Sequence, residues 1–361
     1  MGKWKHREEG KRISKAVIQE KSTEELIEIR DTLTDILEYR KLNKLQSNYI
    51  KGTEKCVQTN GEDKLYVAFN VEGTVTGRLS CTGYGGNKRK KMGISFHTLP
   101  RESQYNMRSM FVAPEGWDFW TSDYSNMELR VLAHIAQEGN MIQALNQGKD
   151  LHTYTASLLY SCPEDMVTKD QRQVAKAVSF LLVYGGSAFN LAQTERISIK
   201  LAEKIFQEYH SAFPDVSRYI NKVYAQILED GYTQTIFGRR RHLPDSKSKI
   251  EQVVNRSLRQ GLNFTIQSAA SDVLLCSLVG CAQKFKEEGM KARVVATVHD
   301  SIEFIAPREE REKIAEIIYN EMTFAPYMKE HLGIELSVPL KIDLEVGSSF
   351  GDGVEYEIAS A

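Results

Sequence analysis

The sequence predicts an α+β fold in which a small antiparallel β-sheet is interrupted by a long helical insertion. Two β-rich runs, Arg293 to Val298 and Ile302 to Ala306, flank a three-residue turn, which is typical of a hairpin. The apolar run from Trp117 to Ser122 predicts a further buried strand. Helical periodicity from about Leu151 to Lys286 predicts the insertion that separates them.

The other predicted elements follow in chain order. Ser22 to Glu25 is typical of a capping box and begins a helix, with apolar residues at helical spacing after it. Residues 126–137 and 308–321 predict further helices. Leu65 to Phe69 and Lys341 to Val346 predict strands, and Gly83 to Gly93 predicts a glycine-rich basic loop. No long linker is visible, so we expect the lobes of this 361-residue chain to be interleaved in sequence.

Composition is that of an ordinary globular protein, with 41% hydrophobic and 26% charged residues. No apolar run approaches the ~20 residues of a membrane span, and the charged N-terminus does not resemble a secretory signal. The five cysteines form no C-x-x-C pair, which favours reduced thiols in a cytoplasmic protein. The net charge of −1 gives no indication of a nucleic-acid partner, although Lys88 to Lys91 and Arg239 to Arg241 are local basic runs.

Two aspartates are placed where strands end. Asp123 ends one apolar strand, and Asp300 lies in the turn of the apolar hairpin. Each alone is typical of a turn or cap residue. If the two strands are neighbours in the sheet, the carboxylates can share a pair of divalent ions about 3.5–4 Å apart, as in phosphoryl transfer.

Two polar stripes have four-residue spacing. Arg172, Lys176, Phe180 and Tyr184 share one face of a helix, where cations suit a triphosphate and aromatic rings suit a base. An amphipathic helix with a charged edge explains the same pattern. The second stripe has three members, Arg259, Asn263 and Gln267. It suits nucleic-acid minor-groove edges, and simple solvent exposure is the alternative.

Six segments, in the same order, resemble family A (DNA polymerase I-like) DNA polymerases. Three are the main motifs: DYSNMELRVLAHIA resembles motif A, RQVAKAVSFLLVYG resembles motif B, and VHDSIEF resembles motif C. The others are TVTGRLS, GRRRHLPD and LRQGLNFTIQSAASD. The resemblance runs from about Ile36 to Asp352 and implies a palm with a small antiparallel sheet, a helical fingers insertion and a vestigial thumb.

The resemblance implies a role for each candidate residue. Asp123, Asp300 and the Tyr124 carbonyl would hold two Mg²⁺ ions, with Mn²⁺ as a substitute. The nucleotide-binding residues would be Arg172, Lys176, His152, Phe180, Tyr184 and Glu128, with Lys176 also protonating the pyrophosphate and Glu128 excluding a ribose 2′-hydroxyl. Primer-template DNA would be contacted by Arg78, Arg259, Asn263, Gln267 and His299.

The chain also departs from the family's pattern. The family usually has Glu after the motif C aspartate, where this chain has Ser301, which argues against an essential metal role at that position. His97-Thr98 replaces an amide-rich run, and Gly83 to Gly93 resembles a basic insertion. Only about 35 residues precede the segment that resembles the thumb's return to the palm. We therefore expect a weak, distributive enzyme without proofreading, helped by a separate thumb, exonuclease or processivity partner.

The resemblance divides the chain into residual thumb and palm-entry helices at 1–50, a first palm segment at 51–140, fingers at 141–257 and a second palm segment at 258–361. It implies primer-template DNA and deoxynucleoside triphosphates as partners, no membrane, and a bacterial or phage-infected host. Two alternatives stay open: a single-subunit RNA polymerase, and a polymerase-derived protein that only binds DNA. Glu128 argues against the first, and the retained aspartates argue against the second.

Overall fold

The computed structural model describes residues 23–83, 93–100 and 105–358, and the predicted α+β architecture is present in them. Lys88 to Lys91 of the predicted basic loop lie outside the described residues, as does Ser22 of the predicted capping box. The chain divides into two units. Among the described residues, one unit holds 23–68, 82–83 and 93–95, and the other holds 69–81, 96–100 and 105–358.

The first unit is largely helical. It contains α1 (Thr23–Lys44), a π-helical segment (Leu45–Ile50) and α2 (Lys51–Asn60). No residue of α1 is buried, although apolar residues recur along it at helical spacing. Strands β1 (Val67–Asn70) and β2 (Ser80–Gly83) contain the boundaries between the units. The predicted strand at Leu65 is therefore displaced, because the first two predicted residues precede the paired segment.

The second unit is organised around a five-stranded antiparallel sheet in the order β6-β7-β3-β8-β9. Its strands are β3 (Trp117–Tyr124), β6 (Arg293–Val298), β7 (Ser301–Pro307), β8 (Ile342–Gly347) and β9 (Val354–Glu355). Trp120 and Phe304 are fully buried in the core behind it. β3 lies at the centre of the sheet, although 176 residues, from 125 to 300, separate it from β7 in sequence.

Helices supply the rest of this unit. The first group is α3 (Met127–Ala136), α4 (Gly139–Asn146), α5 (Leu151–Tyr160), α6 (Lys169–Val183), α7 (Ala188–Thr194), α8 (Ile199–Ala212) and α9 (Pro214–Asp230). The second is α10 (Glu251–Glu287), α11 (Arg311–Thr323) and α12 (Pro326–Leu332). Short 3₁₀ turns occupy Phe96–Thr98, Met107–Met110, Glu164–Met166, Pro244–Lys247 and Arg308–Glu310.

The long helix α10 joins two hydrophobic cores. Its N-terminal half packs Leu258, Leu262 and Ile266 into a helical core, and its C-terminal half packs Val273 and Phe285 into the core of the sheet. By length and composition α10 could cross a membrane, the single such helix in the described part of the chain. However, 72% of its most apolar window is buried inside the protein, which is the pattern of a core helix.

Three sequence predictions need correction. A small hairpin, β4 (Tyr232–Gln234) with β5 (Arg240–His242), interrupts the predicted helical run. The helix predicted from residue 308 begins as a 3₁₀ turn and becomes α-helical only at Arg311. The turn of the main hairpin has two residues, because Val298 already pairs with Ser301.

Candidate active site

Asp123 and Asp300, which we call the acidic centre, are brought to the same end of neighbouring strands. β3 pairs antiparallel with β7 and sets Asp123 opposite Ser301, the residue after Asp300. The Tyr124 amide donates a hydrogen bond to the Asp300 carbonyl over 3.2 Å. Both aspartates line one open cleft with a volume of about 780 Å³. The two strands are thus neighbours in the sheet, which is the condition that the sequence analysis set for a shared metal site.

The turn that carries Asp300 has a strained backbone. His299 has φ +60°, in the left-handed region that residues other than glycine rarely adopt. A two-residue hairpin turn requires positive φ at such a position, so the tight turn forces this conformation. The His299 ring stacks on His97 with centroids 5.7 Å apart, and His97 Nε2 donates to the Thr297 carbonyl over 2.9 Å. Burial lowers the pKa of His97, which favours its neutral form.

Arg78 links the acidic centre to α3. One of its guanidinium nitrogens donates to Glu128 Oε1 at 2.8 Å and to Asp300 Oδ1 at 3.1 Å. The other oxygen of Glu128 accepts a hydrogen bond from the Tyr184 hydroxyl at 2.9 Å. Burial raises the pKa of Glu128, and Arg78, Tyr184 and Gln267 oppose that rise. Residues from four distant parts of the sequence therefore form one connected polar network.

Helix α6 carries the predicted cation and aromatic stripe. It begins with a capping box at Thr168 and holds Arg172, Lys176 and Phe180 at four-residue spacing. Arg172 makes a bidentate ion pair with Asp150, through Nε to Oδ1 at 3.0 Å and through a terminal nitrogen to Oδ2 at 2.9 Å. The Lys176 side chain is exposed on the same helix, and Phe180 is half-buried.

His152 is the second residue of α5, whose N-cap is Asp150. It is 2% exposed, its Nε2 lies 3.1 Å from Asn126 Oδ1, and its ring packs against Phe180 with centroids 5.9 Å apart. Burial lowers the pKa of His152 to about 4, although Asp150 acts in the opposite direction. His152 is therefore a neutral imidazole at physiological pH.

The second predicted stripe lies on α10. Arg259 is exposed, Asn263 and Gln267 are half-buried, and the opposite side of the helix packs into the core. Gly185, just beyond α6, has φ +65°, and a Cβ at that position would lie 2.8 Å from Cβ of Arg259. Only glycine allows this approach, so Gly185 sets how closely the end of α6 approaches α10.

Comparison with known proteins identifies the family. The model of DNA polymerase family A matches residues 2–352. The chain is a member of DNA polymerase family A. DNA polymerase I of Bacillus caldotenax is 36% identical over 91% of this chain, and that of Geobacillus stearothermophilus is 35% identical over the same share. The thermostable DNA polymerase I of Thermus aquaticus is 32% identical over 94% of it.

A solved family A structure has the same fold. The POL domain of Pol1 from M. smegmatis, in complex with DNA primer-template and dNTP, matches with a TM-score of 0.76 and 31% identity. The match covers 88% of this chain and 53% of that one. The chain spans only 36–38% of the length of the three curated relatives above.

The acidic centre of this family A chain has the donor chemistry that Mg²⁺ prefers. Two carboxylates at an open cleft provide hard oxygen ligands, and Mg²⁺ in such sites usually takes only one or two carboxylates with water and substrate phosphates. Among the described residues, no group of three or more His, Cys, Asp or Glu side chains is arranged to hold a metal. The described residues therefore contain no site in which protein side chains alone would surround a metal ion. The two aspartates fit a site in which water and substrate phosphates supply the remaining ligands.

Two acidic residues of the site, Asp150 and Glu303, were not among the candidates that the sequence indicated. Asp150 stands in no motif of its own, yet it holds Arg172. Glu303 is fully buried in β7 beside the acidic centre. Burial raises the pKa of Glu303 to about 7, and hydrogen bonds from Ser301 and Thr121 offset only part of that rise. A glutamate inside an otherwise apolar strand was the signal that could have identified it.

Proposed function

We propose that the chain is a template-directed DNA polymerase that adds deoxynucleoside monophosphates to a primer 3′-hydroxyl and releases pyrophosphate. The supporting observation is the network from Asp300 through Arg78 and Glu128 to Tyr184, which connects the acidic centre to the end of α6. Phosphoryl transfer needs little covalent chemistry from the protein. Placing the acidic centre and the cationic helix α6 around one substrate supplies most of what it does need.

Asp123, Asp300 and the backbone carbonyl of Tyr124 would hold Mg²⁺, with Mn²⁺ as a substitute. When bound, two such ions supply positive charge that activates the primer 3′-hydroxyl and stabilises the leaving oxygen. The contribution of the chain itself is to fix the two carboxylates on paired strands. The pairing of Asp123 with Ser301 across β3 and β7 limits how far the two carboxylates can move apart.

The nucleotide would lie against α6. Arg172, Lys176 and His152 are suited to the triphosphate, and Lys176 can give a proton to the departing pyrophosphate. Phe180 and Tyr184 would line the pocket for the sugar and base. Glu128 is held by Arg78 and Tyr184 at 2.8 and 2.9 Å, so its side chain is a fixed obstacle that a ribose 2′-hydroxyl would meet.

The primer-template would contact Arg78, Arg259, Asn263, Gln267 and His299. The half-exposed polar stripe of α10 offers donors of the kind that read minor-groove edges. In this proposal the sheet and its flanking helices form the palm, at 51–140 and 258–361. The helical core from α4 to α9 would form the fingers, at 141–257, and the described part of residues 1–50 would form residual thumb and palm-entry helices.

Primer extension in the presence of Mg²⁺ tests the proposal. Asp123→Ala and Asp300→Ala are each expected to reduce extension by at least about 10³-fold while DNA binding is largely retained, since metal charge stabilisation is worth several kcal/mol. Asp343→Ala is the matched control, because Asp343 lines the same cleft and pairs with Asp123 from β8. Robust extension by either acidic-centre variant would contradict the metal assignment.

Two further arms of that experiment address the alternatives. A ribonucleotide arm separates a DNA polymerase from an RNA polymerase, because only the latter would extend with ribonucleotides at a comparable rate. Tight primer-template binding without any extension, in a folded parent chain, would instead support a protein that only binds DNA.

A further inference from the structure

We propose that Glu303 is a positioning residue for the acidic centre, and that its buried carboxylate, acting through Ser301 and Thr121, sets the affinity of that centre for divalent cations. The inference rests on the proposed function and extends it to Glu303, which lies three residues after Asp300, the motif C aspartate proposed to bind metal.

The four side chains concerned share one face of the sheet. Asp123 pairs with Ser301 at the end of β3 and β7, and Thr121 pairs with Glu303 two residues further in. Residues two apart in a strand point to the same side, and paired residues in neighbouring strands do as well. Glu303 therefore lies directly behind the acidic centre on the face that Asp123 occupies.

Both oxygens of Glu303 accept hydrogen bonds from hydroxyl groups. Thr121 Oγ1 donates to Oε2 at 2.6 Å, and Ser301 Oγ donates to Oε1 at 2.6 Å. Ser301 Oγ also lies 2.9 Å from the carbonyl of Val298, the last residue of β6. The carboxylate thus connects β3, β7 and the start of the turn that carries Asp300. These are the three backbone segments whose spacing determines the separation of the two aspartates.

The buried carboxylate of Glu303 lowers the stability of the fold, so stability does not explain its presence. Glu303 is fully buried, and the hydroxyls that donate to its two oxygens are neutral. Arg108 attracts the carboxylate, but it offsets only part of the desolvation, since the pKa of Glu303 stays raised. A buried carboxylate with incomplete compensation costs more than an apolar side chain of similar size, and the strand neighbours Ile302 and Phe304 are apolar. A role in the cation site explains why a negative group is retained there.

The departure from the family pattern agrees with this assignment. The position after Asp300 is usually Glu in the family, and here it is Ser301. A glutamate two residues later lies on the same face and hydrogen-bonds to that serine. The negative charge thus lies two residues further along β7 than in the family pattern. Ser301 pairs with Asp123 and hydrogen-bonds to Glu303, so it connects the acidic centre to that charge.

The test is cation binding by the whole chain, measured with Mn²⁺ alone by calorimetry or electron paramagnetic resonance, together with primer extension across a Mg²⁺ series. Glu303→Gln is expected to weaken Mn²⁺ binding about fivefold or more, and to raise the half-saturating Mg²⁺ concentration to a similar extent. Extension at saturating Mg²⁺ is expected to change less. Glu345→Gln is the matched control, because Glu345 pairs with Thr121 from the other side of β3 and lines the same cleft.

Two more variants separate positioning from folding. Thr121→Val removes one hydroxyl and keeps the carboxylate, so it should shift Mn²⁺ binding in the same direction even if Glu303→Gln does not fold. The double variant Ser301→Glu with Glu303→Val moves the negative charge from position 303 to position 301, where the family usually has it. This variant should recover much of the cation affinity.

Three outcomes would overturn the assignment: unchanged Mn²⁺ binding in folded Glu303→Gln or Thr121→Val, an equal shift in Glu345→Gln, or a lowered melting temperature with no change in cation affinity. If the parent chain binds Mn²⁺ but extends no primer, the proposed function fails. The Mn²⁺ comparison still decides the role of Glu303 in that case.

Discussion

The ion pair between Arg172 and Asp150 gives a prediction that can be worked out quantitatively. Arg172 is proposed to bind the nucleotide triphosphate, yet in this structure one edge of its guanidinium, formed by Nε and one terminal nitrogen, donates to the Asp150 carboxylate. A phosphate and a carboxylate use the same fork in the same bidentate way. A triphosphate that binds this same edge of the guanidinium must displace Asp150, so the free energy of the ion pair is subtracted from nucleotide affinity.

Asp150→Asn removes the charge and keeps the local structure. Asp150 is the N-cap of α5 and accepts a hydrogen bond from the Thr153 amide at 2.7 Å, a role that Asn fills equally well. The side chains of Arg172 and Asp150 are 44% and 41% exposed, so solvent screens the pair and it is worth at most about 1 kcal/mol. That amount corresponds to about fivefold in affinity, so the nucleotide KM should fall about two- to fivefold.

The assay is single-nucleotide insertion at saturating primer-template with the nucleotide concentration varied. The advantage of Asp150→Asn should shrink at high salt, because exposed charges are screened. Asp215→Asn is the matched control, since it removes an Arg218 ion pair at the first turn of α9, a helix that carries none of the proposed nucleotide-binding residues. A raised KM in Asp150→Asn would show that Asp150 orients Arg172 for binding, and the competition argument would be refuted.

Three more predictions concern individual residues. Glu128→Ala is expected to improve ribonucleotide incorporation at least about tenfold, whereas Glu128→Gln keeps the bulk and the discrimination; equal ribose preference in both would place the gate elsewhere. Phe180→Tyr should raise dideoxynucleotide use in chain-termination assays, because its hydroxyl can replace the missing 3′-hydroxyl, and unchanged termination would contradict that placement. Burial lowers the pKa of His152 from 6.5 to about 4, so folding favours neutral imidazole and stability is lost as pH falls below 6.5. Urea unfolding at pH 7.5 and 5 should show a loss about 2 kcal/mol larger in the parent than in His152→Asn, and equal losses would refute it.

The sequence predicted the elements whose signals are local. The hairpin at residues 293–306, the strand at Trp117 and the helix that carries Arg172 all follow from periodicity and turn chemistry within about 15 residues. The two-residue turn was predicted one residue too long, because Ser301 is polar and its place in the strand depends on pairing with Asp123. The hairpin β4–β5 was missed because each strand has three residues, too few to show alternation.

The contacts of the site could not be predicted in this way. Arg78 was assigned to DNA by resemblance, but its bonds to Glu128 and Asp300 join residues 50 and 222 positions away. Glu303 lies in the segment that resembles motif C, but neither its neighbours in sequence nor those of Asp150 indicate which residues these carboxylates contact. Their roles depend on which elements the tertiary fold brings together, and local sequence carries little information about that.

The paired state of the proposed substrate-binding cations also explains why net charge was uninformative. Arg78 and Arg172, two of the side chains proposed to contact polyanionic substrates, are each held by protein carboxylates in this structure. Under the proposed function, a chain with net charge −1 would bind DNA and triphosphate by exchanging these partners, with each arginine leaving a carboxylate for a phosphate. The free energy of substrate binding that each arginine contributes would then be the difference between its ion pair with phosphate and its ion pair with the protein carboxylate. The released carboxylates, Asp300 among them, become available where divalent cations are proposed to bind, so partner exchange at Arg78 would couple substrate binding to cation affinity.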